Sequence, residues 1–121
     1  IYHTDVIRAI DTPYQQIKDA DGKEWVINHF KIHFYNLDWE KTSVDYAVSK
    51  DAEAKGVEII RSPAGAVTLS IDSGKGADTQ FFLKVPKTDF HEGVAKSKIT
   101  GIWNQGKIMN EVEVTLVGPW K

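Results

Sequence analysis

Apolar and polar residues alternate with a period of two along most of this chain, and the alternation is clearest between residues 65 and 86. Within that stretch, segments 67–71 and 79–85 alternate, and the Gly-containing loop 73–78 separates them. A period of two is that of a β-strand with one face on a core, so we predict a β-hairpin here. Pro86 should end its second strand, because proline has no N–H to donate. The predicted inward face consists of Val67, Leu69, Ile71, Phe81, Leu83 and Val85.

The same period predicts further short strands on both sides of this hairpin. The good helix formers lie in residues 50–55 and supply one or two helical turns, which Gly56 should end. About eight short strands separated by turn residues are typical of an antiparallel β-sandwich. We therefore predict an all-β fold with little helix. Outside the hairpin, the predicted strands are 5–10, 14–18, 25–37, 44–48, 57–60, 95–103 and 111–117.

The length and composition are those of one globular domain. The chain has 121 residues, of which 41% are hydrophobic and 26% charged. This size is near the commonest for a single domain, so residues 1–121 should form one β-sandwich. The chain begins at Ile1 rather than Met and ends at Lys121, and we interpret it as a mature form or a domain excised from a longer protein.

Several classes of function are disfavoured by what the sequence lacks. There is no cysteine, which excludes disulfides, thiolate metal sites and cysteine nucleophiles. The net charge of −2 gives no field that would gather nucleic acid, and no apolar run approaches the ~18 residues of a membrane span. The spacings of a catalytic triad or a phosphate-binding loop do not occur. We expect no enzyme activity, cofactor, nucleic-acid partner or membrane insertion.

One acidic segment suggests a calcium loop. Asp19, Asp21 and Glu24 place three carboxylates within six residues around Gly22. The segment lacks the full ligand spacing of an EF-hand, and a β-turn with Gly22 at its left-handed position explains it equally well. We predict no metal site, but Asp19, Asp21 and Glu24 are the Ca²⁺ candidates.

Two other groups of side chains suggest a metal site and a crosslink, but both are better explained as ordinary surface residues. On a strand, the rise of ~3.3 Å per residue places His29 and His33 about 13 Å apart, too far to share one metal ion. Lys31 could form an isopeptide crosslink with Asn104 or Asn110, but that reaction needs a dehydrated lysine. Because Lys31 falls on the more polar face of its strand, we expect a surface lysine.

Aromatic residues are the best candidates for ligand binding. The chain has four tryptophans and four tyrosines, whose planar apolar faces can stack on sugars or anchor a protein interface. Most of them should fill the core. Trp39 lies in the polar connection 36–41 and Trp120 lies beyond the last predicted strand, so these two should be exposed. We predict that Trp39 and Trp120, supported by Tyr35, contact a ligand.

Part of the sequence resembles a known group of proteins. The residues that carry the likeness are the segments 63–66 (PAGA) and 81–86 (FFLKVP), Gly93 and the strand 99–103. Across 57–103 the chain resembles β-rich domains of Gram-positive cell-surface adhesins of the thioester-domain type. The resemblance implies a secreted or surface-attached domain that binds or acts as a spacer, beside other domains of the same polypeptide. The thioester itself requires a cysteine, so no catalytic residue is carried over.

These observations lead to one functional prediction and one alternative. We expect a non-catalytic binding or spacer domain of a bacterial cell-surface adhesin, which recognises a host or neighbouring-cell protein or glycan with loops and exposed aromatics. The alternative is a carbohydrate-binding module appended to a glycoside hydrolase. Retardation by a polysaccharide gel would favour the module.

Overall fold

The computed structural model describes residues 2–9, 13–62 and 68–120. These residues form nine strands, a five-residue α-helix and a 3-10 turn at Lys87–Asp89. Among them, no helix is long and apolar enough to cross a membrane. The elements are, in order, β1 (Tyr2–Arg8), β2 (Gln15–Lys18), β3 (Glu24–Asn36), β4 (Thr42–Val48), α1 (Lys50–Ala54), β5 (Glu58–Ser62), β6 (Leu69–Ile71), β7 (Gly76–Pro86), β8 (Val94–Trp103) and β9 (Ile108–Val117).

The strands of the described residues form two antiparallel sheets. In the first, the order is β1-β3-β7-β5, and β2 pairs with the beginning of β3. In the second, the order is β6-β4-β8-β9. The prediction of an antiparallel β-sandwich is therefore confirmed.

The alternation of the sequence predicts correctly which face of each long strand is buried. Every second residue of β3 from Val26 to Asn36 is buried, and the inward residues of β7 and β8 follow the same rule. Aromatic rings form the centre of the core, where Phe34 meets Trp103 edge-on with ring centroids 5.7 Å apart. Burying each such side chain stabilises the fold by roughly 1.5–3 kcal/mol. The largest fully buried apolar side chains are Trp103, Tyr46, Phe34, Phe81, Ile32, Leu83, Ile99 and Leu116.

The predicted hairpin of residues 65–86 is wrong. β6 pairs with β4 in one sheet, whereas β7 pairs with β3 and β5 in the other. The loop 72–75 thus carries the chain from one sheet to the other, with Gly74 in the left-handed region at φ 73°. Alternation reveals the inward face of a strand but not its neighbour, and these two strands belong to different sheets. Val67 and the segment 63–66 lie outside the described residues.

The predicted helical turns are confirmed and have a clear beginning and end. The hydroxyl of Ser49 accepts a hydrogen bond of 3.3 Å from the Ala52 N–H and so caps α1. Gly56, at φ 88°, ends the turn because it adopts a backbone conformation that other residues avoid.

A buried asparagine joins the two sheets at one edge of the sandwich. The carboxamide of Asn28 in β3 donates a hydrogen bond of 2.9 Å to the Val117 carbonyl and accepts one of 3.0 Å from the Val117 N–H. Arg8 donates to the same carboxamide oxygen at 2.8 Å and to the Thr115 carbonyl at 2.6 Å. A buried amide needs such partners, and here they connect β3 and β1 to the edge strand β9.

Candidate functional site

Three connections lie together at one end of the sandwich: 37–41 between β3 and β4, 72–75 between β6 and β7, and 104–107 between β8 and β9. The Gly74 N–H donates to the Asn36 carbonyl at 2.8 Å, and the Asn104 N–H donates to the Ser43 carbonyl at 2.8 Å. These bonds join the second and third connections to the ends of the strands that flank the first. We call this group of connections the Trp39 end.

The buried side chain of Asn36 holds the Trp39 end in place through hydrogen bonds. Its side chain is fully buried, and its amide donates to the carbonyls of Glu40 at 2.8 Å and Ile71 at 3.0 Å. Its carboxamide oxygen accepts from the Asp38 N–H at 3.0 Å. One side chain therefore fixes both ends of the loop 37–41 and ties it to β6.

Asp38 holds the same loop from the side. Its Oδ2 accepts a hydrogen bond of 3.0 Å from the Tyr2 hydroxyl, and its carbonyl accepts one of 2.6 Å from the Ser73 hydroxyl. Tyr2 in turn stacks on Trp103 with centroids 4.7 Å apart. The bond to Asp38, aided by burial, raises the pKa of the Tyr2 phenol above its usual value.

Trp39 is the residue that this framework presents to solvent. Its backbone N–H donates to the Asp38 carboxylate at 2.8 Å, while its side chain is 93% exposed. Burying this ring against a ligand would remove a large apolar surface from water, which is favourable. The predicted exposure of Trp39 is confirmed.

Sequence reasoning missed three exposed aliphatic residues at the Trp39 end. Leu37, two residues before Trp39, is 66% exposed, and Ile108 and Met109 are 45% and 61% exposed at the beginning of β9. They lie at the same end because Trp103 pairs with both Val44 and Ile108. The available clue was Leu37, an apolar residue in an otherwise polar connection.

Trp120 is exposed as predicted, at 74%, but it lies at the other end of the sandwich. It follows the end of β9, and Val117 pairs with Val94 at the beginning of β8, nine residues from Trp103. At ~3.3 Å per residue, Trp39 and Trp120 are therefore separated by about 30 Å along the strands. The indole packs beside Gly93, where an added Cβ would lie 3.3 Å from Trp120 Cδ1. Trp39 and Trp120 do not form one site.

Tyr35 lies at the Trp39 end but on the outer face of the five-stranded sheet. Its ring is 41% exposed and lies 5.9 Å from the ring of His3 on the neighbouring strand. Next to this pair, the imidazole of His33 contacts the Asp78 carboxylate at 2.5 Å. Tyr35 is therefore placed to contact a ligand that extends from the Trp39 end over this outer face.

The acidic segment 19–24 forms the predicted turn, with Gly22 at φ 84°. The Asp19 carboxylate accepts from the N–H groups of Asp21 and Lys23 and, at 3.0 Å, from the indole N–H of Trp25. These bonds, that from Trp25 above all, hold the pKa of Asp19 below its usual value. The carboxylate is thus already used by the turn.

Glu24, the third Ca²⁺ candidate, is paired with Lys87 at 2.7 Å, and this lysine lowers the pKa of the carboxyl. Within the described ranges, no group of three or more His, Asp or Glu side chains is arranged to hold a metal ion. The structure therefore does not bring the carboxylates of Asp19, Asp21 and Glu24 together as a ligand set.

The structure also separates the residues of the isopeptide hypothesis. Lys31 is exposed on the outer face, opposite Gln80, so it lacks the dehydrated surroundings that the reaction needs. Asn110 accepts a hydrogen bond of 2.9 Å from Thr4 instead. On the same outer face, the ring of His29 stacks on Phe82 with centroids 4.2 Å apart.

Comparison with known proteins finds a similar fold but identifies no family. No protein-family model matches the chain. No curated protein matches it either. Among solved structures, the chain is similar to a FixG-related protein from Vibrio parahaemolyticus, with a TM-score of 0.59 and 15% identity over 96% of this chain and 94% of that one. At this identity the likeness is one of fold alone.

Proposed function

We propose that this chain is a non-catalytic binding domain that recognises a protein or glycan ligand with the Trp39 end. One observation carries the proposal: the Trp39 ring is 93% exposed while its backbone and loop are fixed by Asn36 and Asp38. A loop whose backbone is already fixed loses little conformational entropy on binding, which is the general basis of preorganised recognition. Trp is also the residue most enriched among interface hot spots.

The surroundings of Trp39 favour a protein ligand. Leu37, Ile108 and Met109 add exposed aliphatic surface at the same end. Aliphatic side chains around an aromatic anchor are typical of the centre of protein interfaces, and methionine adapts to a partner's shape. The adhesin role and the cell-surface location rest on the resemblance of residues 57–103 and remain predictions.

A carbohydrate-binding module is the second candidate, and a specific observation favours it. In the chain, Trp39 lies between Asp38 and the exposed Glu40, and the exposed Lys41 follows. A planar indole with neighbouring hydrogen-bonding groups can stack on a sugar ring and orient its hydroxyls.

A paired substitution tests the proposal. The wild-type domain, Trp39→Ala and Trp120→Ala would be compared for binding to a glycan array and to immobilised fibrinogen, fibronectin and collagen. Trp120 is the matched control because it is an exposed tryptophan at the other end. Loss of a true anchor costs about 2 kcal/mol, or roughly a 30-fold weaker Kd.

We expect Trp39→Ala to lose binding and Trp120→Ala to keep it, with glycan or protein retention deciding between the two ligand classes. Binding that survives in Trp39→Ala, or a wild-type domain that is retained on none of these surfaces, would contradict the proposal. Circular dichroism should be unchanged in both variants, because neither side chain is in the core.

A further inference from the structure

The single sulfur atom of this chain belongs to a residue of the Trp39 end. The sequence contains no cysteine and one methionine, Met109. This residue lies at the beginning of β9 and is 61% exposed. A Cβ added at Gly106 would lie 3.9 Å from the methyl carbon of Met109, so the side chain lies beside the connection 104–107. A reagent that attacks thioethers therefore has one target in the molecule, and this target is accessible.

Met109 is also the exception on its face of β9. The other residues of that strand that point outward are polar and exposed, namely Glu111, Glu113 and Thr115. Met109 instead continues the exposed apolar surface around Trp39. A methionine side chain is flexible and polarisable, so it can adapt to the surface of a partner. A change in the polarity of Met109 would therefore change the surface with which the Trp39 end binds.

Oxidation makes this change. The sulfur lone pair attacks one oxygen of hydrogen peroxide, the O–O bond breaks and an S–O bond forms, and the departing hydroxide takes up the remaining proton and leaves as water. The thioether is oxidised by two electrons to a sulfoxide, and the peroxide is reduced by two. No thiolate competes for the peroxide, because the chain has no cysteine. The sulfoxide is polar, and burying it against an apolar partner costs free energy unless it finds a hydrogen-bond donor.

From the position and exposure of this sulfur, we propose that Met109 is an oxidation site through which peroxides weaken ligand binding at the Trp39 end. The inference rests on the proposed function and adds its regulation. The change is reversible, because methionine sulfoxide reductases convert the sulfoxide back to the thioether. The fold should not depend on the oxidation state, since Met109 lies outside the hydrophobic core.

Treatment with dilute hydrogen peroxide tests the inference. The wild-type domain and Met109→Leu are each compared before and after treatment for binding to the glycan array and to immobilised fibrinogen, fibronectin and collagen. Peptide mapping should find one added oxygen, on Met109, and none on Trp39 or Trp120. We expect oxidation to weaken wild-type binding by about five-fold or more with an unchanged Tm. Treatment with methionine sulfoxide reductases should restore the affinity.

Met109→Leu is the matched control, because leucine has no sulfur to oxidise. Whatever the affinity of this variant, it should be the same before and after peroxide. Three results would overturn the inference and leave the proposed function standing: oxidised wild type that binds as tightly as the reduced protein, a loss of binding that Met109→Leu shares, or a loss that accompanies a lower Tm. A reduced wild type that is retained on none of the surfaces would contradict the proposed function, and this inference with it.

Discussion

The hydroxyl of Tyr2 donates a hydrogen bond of 3.0 Å to the carboxylate of Asp38, a residue 36 positions away in the chain. The bond connects the first strand to the loop that presents Trp39. Because Tyr2 also stacks on the buried ring of Trp103, the loop is fixed to the core through two successive side chains. The Tyr2–Asp38 hydrogen bond therefore explains the fixed position of the loop that carries Trp39, and substitution of Tyr2 can test this explanation.

Tyr2→Phe should free the loop while keeping the stack on Trp103. The variant loses only the hydroxyl, so we expect several-fold faster hydrogen exchange in 37–41 with little change elsewhere. Tyr35→Phe is the control, because the Tyr35 ring lies on the outer face and is not bonded to the loop. Unchanged exchange in Tyr2→Phe would mean that the bonds from Asn36 and Ser73 hold the loop without the Tyr2 hydroxyl.

The same bond predicts a change at high pH. The pKa of the Tyr2 phenol is raised, chiefly because Asp38 accepts its proton and further because of burial. A group with a raised pKa contributes stability that is complete below its unfolded value, near 10, and is lost as the pH rises through the folded value. Ultraviolet titration of phenolate, with the Tyr2→Phe curve subtracted, should show the Tyr2 phenol ionising above its usual value. Asp38→Asn should bring its pKa down towards the ordinary value.

Asn36→Ala should destabilise the domain and weaken binding at the Trp39 end together. The variant leaves the carbonyls of Glu40 and Ile71 without their donor, at a cost of about 2–3 kcal/mol in the free energy of unfolding. Asn28→Ala is matched to it, since that amide is equally buried and also bonded to backbone. Urea unfolding should show similar losses for both variants. Only Asn36→Ala should weaken ligand binding, and equal weakening in Asn28→Ala would count against the site.

Gly101→Ala should be costly for a steric reason. An added Cβ would lie 2.6 Å from Asn110 Oδ1 and 2.7 Å from Thr4 Oγ1, so the hydrogen bond between those two side chains must move. We expect a loss of roughly 1–3 kcal/mol in thermal unfolding. Gly22→Ala has open space around the new Cβ and should cost about 1 kcal/mol, from its positive φ alone. A smaller loss at Gly101 than at Gly22 would contradict the packing at this point.

The sequence pattern predicts the faces of the strands well and their neighbours poorly. The alternation in β3, β7 and β8 follows from burial of one face, so the sequence of each strand is enough to identify its inward residues. Pairing depends on the path of the connections, and so the separation of β6 from β7 could not be read from two alternating runs. The polar Asn28 and Asn36, at positions of the apolar face of β3, were the visible sign that side-chain amides bond to other elements there.

The candidate site was predictable in part for the same reason. A polar connection around Trp39 indicates exposure, because it offers no apolar partner, and the position of Trp120 after the last strand does likewise. Their placement at opposite ends depends on the register of β8 against β4 and β9.

The Asn28 carboxamide bonds to both the N–H and the carbonyl of Val117, as the peptide group of an adjacent strand would. It therefore satisfies peptide groups of the edge strand β9 to which a strand from another molecule could otherwise pair. Without it, the exposed peptide groups would offer an intermolecular template. With the Arg8 bond to the Thr115 carbonyl, three peptide groups at this edge are therefore occupied within the molecule and are closed to pairing with another strand.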